Sequence, residues 1–242
     1  MSDSMLMELK SVECAFYVRK SRIAVRSVQV LHDVNFTLER GETLGVVGHN
    51  GAGKSTLLQV LAGILAPTGG ELRKQRGLTV SLLTLQLGFS NELTGRENAV
   101  MSAMYLGHSR VEAERRLPGI LDFAEIGTWV DEPLRTYSTG MRSRLGFAVA
   151  MEMQPDVMLI DETLGVGDAY FQRKSSEALL NKMRSGQTTV LVSHNDATIR
   201  ALCNRVIWLH EGRVYREGSP AEVMDAYNDW IGSLKHVTAG RG

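Results

Sequence analysis

With 242 residues, 43% of them hydrophobic, the chain is long enough for one sizeable globular domain with room for a subdomain. Lysine plus arginine and aspartate plus glutamate each number 27, so the broad positive field that draws proteins onto nucleic acid is missing. Two cysteines, Cys14 and Cys203, stand far apart and outside any C-x-x-C spacing, which argues against a disulfide framework or a zinc site and suits a reducing compartment.

The chain begins MSDSMLMELK, with Asp3 and Glu8 where a signal peptide needs a basic start and an apolar run. No apolar stretch reaches the ~20 residues of a membrane helix, so a soluble, cytoplasmic chain is expected, one that can still dock on a membrane protein. Residues 5–16 and 28–38 read as β-strands, the second with Val34, Phe36 and Leu38 alternating with polar residues. Arg19, Lys20, Arg22 and Arg26 lie between or beside them and read as a solvated hairpin or loop. Arg40-Gly41 is a turn. TLGVVG, residues 43–48, is a short apolar run suited to a buried strand. A glycine-rich loop follows, then a helix with Leu57, Leu58 and Leu61 on one face, ended by Gly63 and Pro67.

Residues 87–155 read as helical. TGREN offers Thr94 as a cap with Glu97 three residues on, a capping box, and places Met101 and Met104 on one face, expected in the core. A further helix starts near Ser138 and stops before Pro155. The chain then returns to α/β: DVMLIDE is a strand ending in two acids, a polar helical pattern follows, and TTVLVSH is another strand. RVIWLHEGRVY reads as a hairpin turning at Glu211-Gly212. SPAE combines a serine cap, proline at the first helical position and glutamate at the third, predicting a final helix over 220–231 and then a short mobile tail. Strands alternating with helices imply a mostly parallel sheet, with the helical middle as an insertion.

The loop GHNGAGKST carries the clearest chemistry. Gly48, His49, Asn50, Gly51, Ala52, Gly53, Lys54 and Ser55 fit G-x-x-x-x-G-K-[ST] between a strand and a helix. Glycines let backbone N–H groups approach phosphate oxygens, and the helix adds the positive end of its dipole. Lys54 supplies a point charge for the β/γ-phosphates, Ser55 an oxygen for Mg²⁺, and Thr56 a further donor. Hydrolysis needs more: a metal anchor and a group to orient water. Asp161 and Glu162 end a strand at the sheet edge where open α/β folds bind ligands, Asp161 to hold Mg²⁺ directly or through water and Glu162 to polarise the attacking water; the alternative is a helix cap. His194 closes the next strand and reads as a donor to the γ-phosphate, with a structural histidine as the alternative.

In order, GHNGAGKST, YSTGM (Tyr137 to Met141), VMLIDE, GVGD and VSH resemble the ATP-binding cassette family over residues 5–230. The resemblance implies an α/β fold with a P-loop ATPase core and mostly parallel sheet, an N-terminal antiparallel β subdomain and an inserted helical subdomain at about 87–155, within a nucleotide-binding domain spanning 1–232. It also implies ATP and Mg²⁺ as ligands and a head-to-tail homodimer with nucleotide at the seam. Ser138 and Gly140 open a helix whose N-terminus reads as a second anion site, one that makes sense if it faces the partner's nucleotide; the alternative is an ordinary helix start with a serine cap. The usual signature is Leu-Ser-Gly-Gly-Gln; here Tyr137, Thr139 and Met141 depart from it. By the same resemblance Gln86 is the candidate for a glutamine joining Mg²⁺ to the transporter contact, one residue off the usual spacing. Phe16, or Tyr17 in its place, would stack on adenine, and Asp168 would touch the opposite subunit. NELTGREN, YSTGMRSRLGFAVA, IDETLGVGDAYFQRK and VIWLHEGRVYREG resemble the ATPase subunits of bacterial polysaccharide exporters, which move O-antigen, capsule or teichoic acid. That implies a separate permease, a place on the cytoplasmic face of the inner or plasma membrane, and no nucleic-acid partner. Residues 233–242 read as a short tail, with no carbohydrate-binding domain after it. A soluble cassette protein acting on ribosomes or DNA, or a nucleotide-gated scaffold, are the competing classes.

Overall fold

The computed structural model of the chain describes residues 4–19, 25–83, 88–161 and 168–239. It divides into two compact units: Met1–Leu78, Leu159–Glu162 and Gly186–Gly242 form the first, Thr79–Met158 and Thr163–Ser185 the second.

In the first unit, β1 (Met5–Arg19) and β2 (Val25–Glu39) form a long antiparallel pair, with β4 (Gly69–Lys74) antiparallel on the other side of β1. The pairing is broken by bulges; at one of them Ser11 takes φ 47° and its N–H donates to Asn35 Oδ1 at 2.7 Å. The second sheet holds β3 (Thr43–Val47) at its centre, parallel to β7 (Thr188–Val192) on one side and to β8 (Arg205–His210) on the other, with β9 (Arg213–Gly218) antiparallel at the edge. The end of β6 (Val157–Ile160) lies beyond β7. β3, β6 and β7 are buried at every position, as apolar runs covered on both faces must be. The hairpin turns at Glu211 and Gly212, with φ 46° and 73°, as the turn residues predict.

Helix α1 (Lys54–Ala62) buries Leu57, Leu58 and Leu61, each worth about 1.5–3 kcal/mol. Gly63 ends it in the left-handed region, φ 79°. α6 (Asp196–Leu202) follows β7. α7 runs from Pro220 to Ala239, well beyond residue 231 and through most of what reads as a tail, because Gly232 costs only about 1 kcal/mol and does not stop the helix. Its start keeps the capping arrangement: Ser219 Oγ donates to Glu222 Oε2 at 2.8 Å.

Burial raises the Cys14 thiol pKa and pushes Cys203 up to about 12. Neither should react with an aromatic disulfide reagent at pH 8 until guanidinium unfolds the chain, because the thiolate is the nucleophile. Fast labelling of the native protein would contradict that burial.

The second unit is mainly α2 (Gly95–Tyr105), α3 (Arg110–Ala124) and α4 (Thr139–Glu152), with α5 (Ala169–Arg184) and the short strand β5 (Val80–Leu82), which neighbours β6. The inward face of α2 is made of small residues, Ala99, Ser102 and Ala103, which let it approach α3 and α4 closely. That overturns the core placement of Met104, which is 47% exposed; Met101 and Met104 instead line a groove of about 430 Å³ with Leu93, Val100 and Leu117. Both halves of the capping box are present: Thr94 Oγ1 accepts from Glu97 N–H at 3.2 Å, and Glu97 Oε2 accepts from Thr94 N–H at 2.8 Å. Thr94→Ala is therefore expected to cost about 1 kcal/mol, read as a lower Tm by calorimetry, while Thr94→Ser keeps most of it.

Candidate nucleotide-binding site

The loop between β3 and α1 is shaped by what lies beside it. A Cβ on Gly48 would fall 2.2 Å from Leu209 O, and one on Gly53, at φ 101°, would fall 2.9 Å from Leu31 Cδ2. Glycine at these two positions is thus a steric demand of β8 and β2 as well as of any ligand. The loop is fastened by Ala52 N–H to His49 O at 3.1 Å and by Gly212 N–H to Ala52 O at 3.1 Å. Lys54 is buried, and its Nζ donates to Gly48 O at 2.6 Å and His49 O at 3.0 Å. The ammonium is held inside the curl of the loop, where phosphate oxygens would meet it.

Ser55 and Asp161 are 106 residues apart in sequence, yet Ser55 Oγ donates to Asp161 Oδ2 at 3.0 Å. A hydroxyl and a carboxylate side by side are hard oxygen donors of the kind Mg²⁺ takes, and Mg²⁺ usually needs only one or two protein ligands beside waters and phosphates. Among the described residues no group of three or more His, Cys, Asp or Glu could hold a metal ion. Gln86 and Glu162 lie outside the described residues. Gly51 takes φ 83° with open space around it, and Asn50 and Ser55 are exposed, Thr56 half-buried. His194 is exposed just before the Asn195 cap of α6. Phe16 is 38% and Tyr17 73% exposed near the end of β1.

A protein-family profile described as "ABC transporter" matches residues 31–165. The O-antigen export system ATP-binding protein RfbB of Klebsiella pneumoniae is 41% identical over 202 residues, covering 84% of this chain and 82% of that protein. The chain belongs to the ABC transporter family. A protein of the same name from Myxococcus xanthus is 42% identical over 88% of this chain, and the chain spans about half, 48%, of that relative's length. The teichoic acids export ATP-binding protein TagH of Shouchella clausii is 40% identical, covering 90% of this chain and 60% of the relative. A solved ATP-binding subunit of an ABC transporter superposes with a TM-score of 0.71 at 26% identity, covering 92% of this chain and 93% of that one. These likenesses bear out the α/β cassette fold expected from sequence, and no described helix is long and apolar enough to cross a membrane.

In this ABC protein the signature segment sits in the second unit. Ser138 is the N-cap of α4, its Oγ accepting from Met141 N–H at 3.2 Å. A Cβ on Gly140 would meet only Ser138 Oγ, at 3.8 Å, so the chain's own packing does not require glycine there. Tyr137, the departure from leucine, has a local reason: its hydroxyl donates to Trp129 O at 2.6 Å and occupies the space a Cβ on Gly95 would need. Burial, with Asp131 and Glu132 nearby, pushes the phenol up to about 12. Asp168 caps α5 by accepting from Tyr170 and Phe171 N–H, and it pairs with Arg144; its carboxyl lies below the usual range, chiefly through the Phe171 N–H. Sequence reasoning missed Asn98, fully buried, whose side chain donates to Ser90, Leu93 and Thr94 carbonyls and accepts from Ser90 N–H. It shapes the NELTGREN loop; the only signal was an amide inside a helix pattern.

Proposed function

We propose that the chain is the ATP-hydrolysing subunit of a polysaccharide exporter. It works as a homodimer on the cytoplasmic face of the inner or plasma membrane, with a separate permease. The observation that carries the reading is the joint placement of buried Lys54 inside the phosphate loop and of Ser55 against Asp161. In this reading residues 48–56 hold the triphosphate, Ser55 and Asp161 hold Mg²⁺, which screens the phosphate charge, and Phe16 covers the adenine. Glu162 and His194 serve water and γ-phosphate, and Gln86 and Asp168 link the site to permease and partner. Ser138 and Gly140 supply the second anion site to the partner's nucleotide; the absence of any packing reason for Gly140 supports this. The names of the relatives support a glycan as cargo. The groove lined by Leu93, Val100, Met101 and Met104 is the surface we assign to the permease.

Coupling requires ATP to bind the closed dimer more tightly than the open one. Gly140→Asp is expected to impair hydrolysis at least tenfold and leave ATP binding to the monomer intact, since it puts a negative charge where the partner's γ-phosphate would sit; equal loss of monomer binding contradicts the in-trans role. The function itself is tested in cells lacking the gene. Lipid-linked glycan should build up on the inner leaflet and reach the surface again only when an ATPase-competent copy is restored. Unchanged surface glycan, or co-purification with ribosomes in place of a membrane protein, sinks it.

A further inference from the structure

We infer that Trp230, on α7, is a positioning residue for the phosphate loop, acting on bound nucleotide through His49. The inference rests on the reading above that residues 48–56 hold the phosphates of ATP. The loop and the C-terminal helix meet in a cluster of rings. The centroid of Trp230 lies 4.9 Å from that of His210, edge to face at 77°, and 6.0 Å from that of His49. His49 and His210 meet at 5.3 Å, also edge to face. Trp208 and Tyr227 back the indole at 5.4 and 6.1 Å. All these separations fall in the range where aromatic rings attract.

The His49 ring is tied to the loop backbone as well. Its Nδ1 lies 2.7 Å from Asn50 O, and since a carbonyl only accepts, Nδ1 carries the proton. Whatever holds the ring therefore holds the Asn50 peptide, in a stretch where Gly48, Gly51 and Gly53 all have positive φ. Such a loop loses much backbone freedom when it closes on phosphate, and ordering it beforehand reduces that loss. Trp230 supplies this order from α7, which the glycine motif does not include.

The test measures the Kd of the imido analogue of ATP, with Mg²⁺, by calorimetry on the full chain. Trp230→Leu keeps apolar bulk but loses the ring, and should weaken binding about tenfold; Trp230→Phe should restore it to within about twofold. In a His49→Ala background, Trp230→Leu should cause no further loss, a result that general destabilisation would not produce. Unchanged affinity in Trp230→Leu, or the same factor with and without His49, overturns the inference. Absence of nucleotide binding by the unmodified chain would defeat the nucleotide reading instead. Should the leucine variant not fold, Trp129→Phe protein, in which only Trp208 and Trp230 emit, should change its emission on nucleotide addition and lose that response with His49→Ala; no change overturns the inference equally.

Discussion

Glu162→Gln is expected to slow phosphate release by roughly 10²–10⁴-fold, the contribution of a positioned general base, while ATP still binds. The residue directly follows Asp161, whose Oδ2 is fixed at 3.0 Å from the Ser55 hydroxyl. In the proposed reading the metal-side and water-side groups are neighbours in sequence, and a carboxamide at 162 would keep the size and lose the proton acceptor. Single-turnover phosphate release reads the rate; gel filtration with ATP should show dimer accumulating, because nucleotide stays trapped at the seam. Near-normal turnover would remove Glu162 from the base role.

Lys54→Ala is expected to weaken ATP binding by about 1.5–3 kcal/mol, the range for a hydrogen bond to a charged group; that is roughly 10- to 150-fold in Kd. Two losses combine. In the proposed reading the ammonium would no longer meet the β/γ-phosphates, and Gly48 O and His49 O lose the donor that holds the loop curled around it. The loss should be larger at low salt than at high, since part of it is electrostatic. Calorimetric titration at two ionic strengths checks both, and unchanged affinity counts against Lys54 as a ligand.

Much of the fold was legible from local chemistry. The strands β3, β6 and β7 announce themselves as short apolar runs, the Glu211-Gly212 turn by its dipeptide, and the starts of α2, α4 and α7 by Thr94, Ser138 and Ser219. Each of these signals lies within a few residues of the structure it specifies. Met104 was misplaced because helical spacing says which residues share a face, and not which face turns inward; on α2 the small residues Ala99, Ser102 and Ala103 take the inner side, where close approach to α3 and α4 favours them. The end of α7 was misplaced because a single Gly232 costs only about 1 kcal/mol and does not stop a helix by itself.

By itself the sequence determined the glycine-rich loop motif, the strand–helix alternation and the family, since these depend on residue types at short spacing. Only the tertiary structure decided that Ser55 meets Asp161, that Tyr137 fills the space above Gly95, and that Trp230 reaches His49. Those contacts join residues tens to hundreds of positions apart. Their geometry follows from sheet order and helix packing, which no local spacing encodes.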